Sequence, residues 1–267
     1  LLAKIYFQMN DFDKALAEVD KILGPVSATG SSRYPLTATF DALYKLIGNQ
    51  NFGPNLGKEL IYAAEGASAQ KWTQDSKWGF YRHTRPLKDA TGATVAQAYG
   101  RVRIGTPYLN LLDQTKDKRF TLLVEKIGTN YWQKKFATSG MNVPIFRAAE
   151  FHLMRAEILA RKDQQANALG ELNLTRLRAG LPAYVYSSKA ALLKEICDER
   201  GRELICESVR HLDNLRLGAA DGTPVPLGQR DAADKVYIGG VDALPWNSSF
   251  FVYPLPQNEK DYNDALK

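Results

Sequence analysis

Apolar residues recur every three or four positions at both ends of this chain and lose that rhythm between them. In "LLAKIYFQMNDFDKALAEVDKIL", residues 1–23, the rhythm predicts a helix, a short turn at "MNDF" and a second helix. Ala3 and Ala15 stand twelve positions apart, with Tyr6 and Phe12 flanking the turn. Small residues let two antiparallel helices approach closely and aromatics fill the wedge between them, as in a tetratricopeptide unit. A related unit is predicted in "AAEFHLMRAEILARKDQQANALGELNLTRLRAG", where Ala156 and Ala168 are again twelve apart around the polar "RKDQQ". Two units so distant do not make a continuous solenoid, which needs about three stacked repeats.

Between them the periodicity fades, Gly, Pro, Ser, Thr and Asn become frequent, and aromatics accumulate. "GKELIYAAEG" and "KRFTLLVEKIG" predict short strands. "TPYLNLLDQ" predicts a helix capped by Thr106 with Pro107 behind it. The expected organisation is therefore a mainly α, tetratricopeptide-like helical scaffold at 1–23 and 146–217. A loop-rich insertion with short strands fills 24–145, and a Gly/Pro-rich excursion and tail run over 218–267. The chain opens inside a helix without an initiator Met, which suggests part of a longer chain.

A strong helix is expected over about 188–217. On a wheel of about 100° per residue, Glu199, Glu203, Glu207, Arg210 and Asp213 share one face. Stacked glutamates repel by roughly 0.2–0.5 kcal/mol per pair in an isolated helix, and Arg200, Arg202 and Arg210 offset this locally. Arg147, Arg176 and Arg178 are candidate partners from other segments. Three readings compete: a catalytic carboxylate pair, a solvated face, and a structural ion network of Glu199, Arg202, Glu203, Glu207, Arg210 and Asp213. Neighbouring carboxylates stand about 5–6 Å apart at Cβ, near a retaining glycosidase's separation, but they point the same way instead of flanking a bond. The network reading is favoured.

Composition adds mainly exclusions. A formal charge of +6 is spread over scattered residues, with Arg101/Arg103 and Lys134/Lys135 as the densest groups; no basic stripe suited to nucleic acid emerges. No apolar run approaches a membrane span. Cys197 and Cys206 read as small buried residues on opposite sides of one helix. His83, His152 and His211 show no metal-ligand spacing, and His152 and His211 read as helix-surface or capping residues. No phosphate-binding glycine loop or nucleophile elbow is present, so no catalytic residue, cofactor or metal is assigned.

Four segments, in order, resemble the SusD/RagB family of outer-membrane nutrient-binding lipoproteins of Bacteroidetes. "VPIFRAAEFHLMRAEILAR" carries the likeness through Arg147, Ala149, Glu150, Leu153, Met154, Ala156 and Glu157. "ALGELNLTRLRAGLP" carries it through Asn173, Arg176, Arg178, Ala179, Gly180 and Leu181. "ICDERGRELICESVRHLDNLRLG" carries it through Glu199, Arg200, Arg202, Glu203, Leu204, Glu207, Arg210, Asp213, Arg216 and Gly218. "VYPLPQNEKDYN" adds Pro254, Pro256, Gln257, Glu259 and Asn263, and "GKELIYAAEG" and "DKRF" reinforce the middle. Gly201, Cys206, Ser208 (for the usual Gly), His211 and Leu212 depart from the family pattern.

The resemblance implies the C-terminal part of a SusD-like α/α superhelix that is not an enzyme, with its charged helix serving the scaffold. It implies a surface-exposed lipoprotein of the outer membrane, its signal peptide and anchor outside this chain. Such a receptor captures oligosaccharide or polysaccharide for a SusC-like TonB-dependent transporter. Glycan capture needs flat apolar faces with hydrogen-bonding groups beside them. Trp72, Trp78 and Tyr81, with Gln74 and Arg82, form the first candidate platform, and Tyr131 and Trp132 a second. The alternative is a tetratricopeptide-type adaptor that binds a peptide or protein along helix faces near 3–10 and 150–157.

Overall fold

The structure, a computed structural model, describes residues 1–40, 42–43, 58–64, 86, 88, 91–94, 99–100, 102–135, 143–221, 225–226 and 243–251. The chain divides into two compact units, Leu1–Arg210 and His211–Lys267. The first is mainly helical. It opens with a hairpin of α1 (Leu2–Gln8) and α2 (Phe12–Leu23), followed by β1 (Leu60–Ala64). Two short helices, α3 (Thr106–Leu109) and α4 (Lys118–Leu123), precede the antiparallel pair β2 (Val124–Ile127) and β3 (Asn130–Gln133). β4 (Val143–Arg147) pairs antiparallel with β1 and runs directly into α5 (Ala148–Arg161), which turns into α6 (Gln165–Arg178) and then α7 (Lys189–Glu203).

Both hairpins close by the same device. Asn10 (φ 58°) and Asp163 (φ 59°) adopt the left-handed conformation just past the first helix. The next amide then bonds back to the helix, Asp11 N to Tyr6 O at 2.9 Å and Gln164 N to Leu159 O at 2.9 Å. Each of these residues follows its buried alanine, Ala3 or Ala156, by seven positions. Asp11 and Ser188 cap α2 and α7 by accepting the amides of Lys14 and Ala191.

Helix α5 lies between two apolar clusters. One joins it to α1 and α2 through Ala3, Phe7, Ala15, Val19, Leu23, Phe151, Met154 and Ile158. The other joins it to α6 and α7 through Leu153, Ala156, Leu159, Ala168, Leu172, Leu192 and Ile196. Every residue from Ala148 to Ala160 is buried as a result, including Glu150, His152, Arg155 and Glu157. A helix covered on both sides has no solvated stripe. The expected surface role for His152 is therefore corrected.

Other local readings change as well. The first half of "KRFTLLVEKIG" is the helix α4, and only 124–127 form a strand. Gly105, not Thr106, is the N-cap of α3. The helix expected over 188–217 ends at Glu203, and α8 (Arg210–Asp221) begins after a turn. In that turn Cys206 (φ 60°) and Ser208 (φ 61°) are left-handed, so 197 and 206 do not share a helix. The second unit holds most of α8, the pair β5 (Val225–Pro226) and β6 (Ala243–Leu244), and a 3₁₀ turn at Ser249–Phe251.

An L side chain in the left-handed region costs roughly 1–2 kcal/mol, partly offset by the unfolded-state entropy that glycine adds. Ser208 is exposed and its side chain has room to be lost. Ser208→Gly is expected to stabilise the fold by about 0.5–1 kcal/mol, read as a rise in thermal midpoint; Ser208→Val should lower it.

Candidate functional site

The carboxylates on α7 do not face water. Glu199 and Glu203 are fully buried, and Glu207 in the following turn is 7% exposed at its side chain. Cations from several segments converge on them. Arg147, the last residue of β4, donates from Nη1 to Glu203 Oε1 at 2.6 Å and to Glu59 Oε1 at 2.8 Å. Its Nη2 reaches Glu207 Oε1 at 2.8 Å and the Glu203 carbonyl at 3.0 Å. Arg178, in the last turn of α6, donates to Glu203 Oε1 and Glu59 Oε2, each at 2.6 Å.

Arg119 supplies the third guanidinium. It grips Asp117 through Nε and Nη2 at 2.8 Å, and Glu199 through Nη1 at 2.8 Å and Nη2 at 3.1 Å. It also reaches Glu203 Oε2 at 3.4 Å. Arg202 donates to Glu199 at 2.8 Å and to Glu195, which Arg176 also engages. Lys135 donates to Glu207 and to the Ile205 carbonyl. Among the described residues, the carboxylates of Glu59, Asp117, Glu195, Glu199, Glu203 and Glu207 thus meet the cations of Arg119, Lys135, Arg147, Arg176, Arg178 and Arg202.

A local motif explains how Arg119 gets there. After α6, Gly180 (φ 83°) and Leu181 turn the chain back, with Leu181 N bonded to Arg176 O at 3.0 Å. Lys118 N bonds to Ala179 O at 3.0 Å, and a Cβ on Gly180 would meet Lys116 O at 3.3 Å. "RAGL" therefore both ends α6 and seats the start of α4, which carries Arg119 on an Asp117 cap.

The electrostatics follow from that geometry. Burial alone would raise the Glu203 carboxyl. The charges of Arg178, Arg147 and Arg119 outweigh it and hold the group down at about 2. Glu199 and Glu207 are lowered too, burial being outweighed by Arg119 in one case and Arg147 in the other. Burial lowers Lys135, against the pull of Glu207.

Arg210 and Asp213 lie past the helix break, so the single-helix wheel that grouped them with the glutamates does not hold. Arg210 donates to the Cys197 carbonyl at 2.9 Å, close over Gly201. Asp213 is 3.5 Å from Arg216 one turn on. His152 is wholly buried, with Nδ1 2.6 Å from Glu171 Oε2, and Arg155 Nη2 is 2.7 Å from Glu171 Oε1.

Of the aromatic candidates, Trp72, Gln74, Trp78, Tyr81 and Arg82 lie outside the described residues. Tyr131 and Trp132 sit side by side on β3, facing opposite ways. Trp132 is 6% exposed, with the Arg103 guanidinium 5.9 Å from its ring centre. Tyr131 is half-buried, its ring 5.5 Å from Lys126 Nζ, and packs on the cluster of Leu109, Leu112, Leu123 and Val124. Among the described residues no cluster of His, Cys, Asp and Glu is placed to hold a metal, and no helix is long and apolar enough to cross a membrane.

Sequence reasoning anticipated Arg147, Arg176 and Arg178 as partners but missed Arg119, Glu59 and Lys135. The only signals for the first two were the short motifs "DKRF" and "GKEL" that contain them. Because Glu203 is held far below its ordinary value, its contribution to stability is full above about pH 4.5 and is lost as pH falls toward 2. Glu203→Gln should cost roughly 3–5 kcal/mol at neutral pH by leaving buried guanidinium charge unmatched. It should also flatten the loss of stability between about pH 4.5 and 2, read by denaturant unfolding across that range.

The SusD family model matches residues 59–267. No curated protein matches. Among solved structures, the chain is similar to a SusD superfamily protein from Bacteroides vulgatus, with a TM-score of 0.75 and 20% identity, over 100% of this chain and 56% of that one. A SusD superfamily protein from Bacteroides thetaiotaomicron gives a TM-score of 0.74 and 21% identity, over 98% and 57%. Surface glycan-binding protein A from Bacteroides thetaiotaomicron, in complex with laminarihexaose, gives 0.69 and 20%, over 99% and 61%. The chain therefore spans little more than half the length of these structures, and at such identities they speak for the fold. That mainly helical fold and the family match over most of the sequence lead to one assignment: the chain belongs to the SusD family.

Proposed function

We propose that this chain is part of a non-catalytic receptor that captures glycan at the cell surface for import. The observation that carries this reading is membership of the SusD family across 59–267, together with a structural relative solved with laminarihexaose. The receptor is a lipoprotein of the outer membrane in this reading, and it hands oligosaccharide to a SusC-like TonB-dependent transporter. The segment 72–82 supplies the aromatic platform, with Gln74 and Arg82 bonding to sugar hydroxyls. Tyr131 is the open member of the second pair, while Trp132 serves mainly to pack β3.

The adaptor alternative gains nothing from the packing. Residues 150–157 are buried, and Ala3 and Phe7 on α1 pack into the core with Phe151 and Met154, so of the two faces it requires only the α1 side, at Ile5 and Met9, stays open.

Native affinity gels containing laminarin, amylopectin, xylan or galactomannan, run with the complete mature protein, test the reading. Retardation by at least one polysaccharide, without its breakdown, is the expected result. Trp72→Ala and Trp78→Ala should each weaken that retention about tenfold or more, with circular dichroism unchanged. Capture of a peptide with no glycan retained would overturn the receptor reading.

A further inference from the structure

One surface feature away from the charged network joins a fixed aromatic face to a charged group. Tyr62 on β1 is 61% exposed and stands opposite Phe146 in the pairing of β1 with β4, at a point where the register shifts on either side of it. The two rings lie 6.1 Å apart at 36°. Phe146 lies 6.3 Å from Phe151, which is 1% exposed and belongs to the cluster joining α1, α2 and α5. Tyr62 is thus the outer rung of a three-ring ladder rooted in the core.

Lys4 of α1 flanks the ladder. Its ammonium is 5.4 Å from the Phe146 ring centre and 2.8 Å from Glu150 Oε1. The Lys4 side chain keeps 23% of its surface exposed. An ammonium has three donors, so the Glu150 carboxylate leaves it capacity for another acceptor. Glu150 fixes the cation beside the aromatic face instead of letting it swing into solvent.

A lone exposed aromatic is ordinary on a protein surface. This one is braced from behind and bordered by an oriented donor. A braced ring loses little freedom when something stacks on it, which favours binding. A protein partner would call for a broader apolar area with charge kept to its rim. A single flat face beside a donor matches one pyranose, whose C–H face lies on the ring while its hydroxyls meet the ammonium.

We propose that Tyr62, braced by Phe146 and flanked by Lys4, is a stacking platform for one sugar ring of a bound oligosaccharide. The proposal rests on the glycan-capture reading above and adds a contact distinct from the 72–82 and 131–132 segments. The ligand class is a neutral or anionic oligosaccharide; a cationic sugar would be repelled by Lys4.

The experiment uses the complete mature protein and whichever of laminarin, amylopectin, xylan or galactomannan retards it in native affinity gels. Tyr62→Thr removes the ring while keeping a residue suited to a strand, and Tyr62→Phe keeps the ring. Tyr62→Thr is expected to weaken binding about tenfold and Tyr62→Phe about twofold or less. Unchanged thermal midpoints separate lost contact from lost fold. Equal retention of Tyr62→Thr and wild type, while Trp72→Ala loses binding, overturns this platform and leaves the receptor standing. If no polysaccharide retards the wild-type protein, the receptor reading fails and the platform falls with it.

Discussion

The buried charge of Glu203 is the constraint that most of the first unit satisfies. One carboxylate receives Arg147 from the end of β4, Arg178 from the last turn of α6 and, more distantly, Arg119 from α4. Its own carbonyl takes a further bond from Arg147. Desolvating each of these ions costs several kcal/mol, so an ion network adds little net stability over an apolar core of equal volume. What it adds is intolerance. Any packing of β4, α4, α6 and α7 that leaves one of these ions unmatched carries an uncompensated buried charge, at a cost of about 3–5 kcal/mol.

The same logic governs α5, where apolar burial alone would not fix orientation. Apolar contacts hold it on both sides, and its polar residues find specific partners. Arg155 reaches the Gly24 carbonyl at 2.6 Å as well as Glu171, tying the end of α2 to α6 through α5. Glu150 holds Lys4, and Arg200 Nη1 lies 3.4 Å from the Glu150 carbonyl. Since β4 continues directly into α5, this fixed helix also fixes β4, and through pairing β1. The braced position of Tyr62 is thus a consequence of how the scaffold locks.

The helical hairpins were legible in the sequence because their signals are local: apolar periodicity, paired alanines, and a polar residue able to turn left-handed. The end of α7 was not, since "RELICESVRH" contains neither Pro nor Gly. Its one signal was Ser208, which departs from the glycine of the resembled pattern, and in this chain that position has a positive φ. Arg119 and Glu59 stayed hidden because they act at separations of 80 and 88 residues, on Glu199 and Arg147. His152 was misread because a polar residue in a helix suggests a wet face, and only the second cluster against α5 removes that face. Trp132 shows the ambiguity of aromatics, which serve cores and sugar platforms equally well until exposure is known.

These placements separate two tasks that the sequence alone left entangled. Acid–base chemistry needs a carboxyl free to exchange a proton near the working pH. Glu199, Glu203 and Glu207 are instead held ionised by guanidinium groups in direct contact. Glu150, whose carboxyl burial pushes upward, is engaged by Lys4. The carboxylates of Glu199, Glu203 and Glu207 are therefore committed to the scaffold. Recognition falls to groups that keep open surface, and a ring such as Tyr62 is useful to a ligand because the aromatic ladder behind it is rooted in the apolar core.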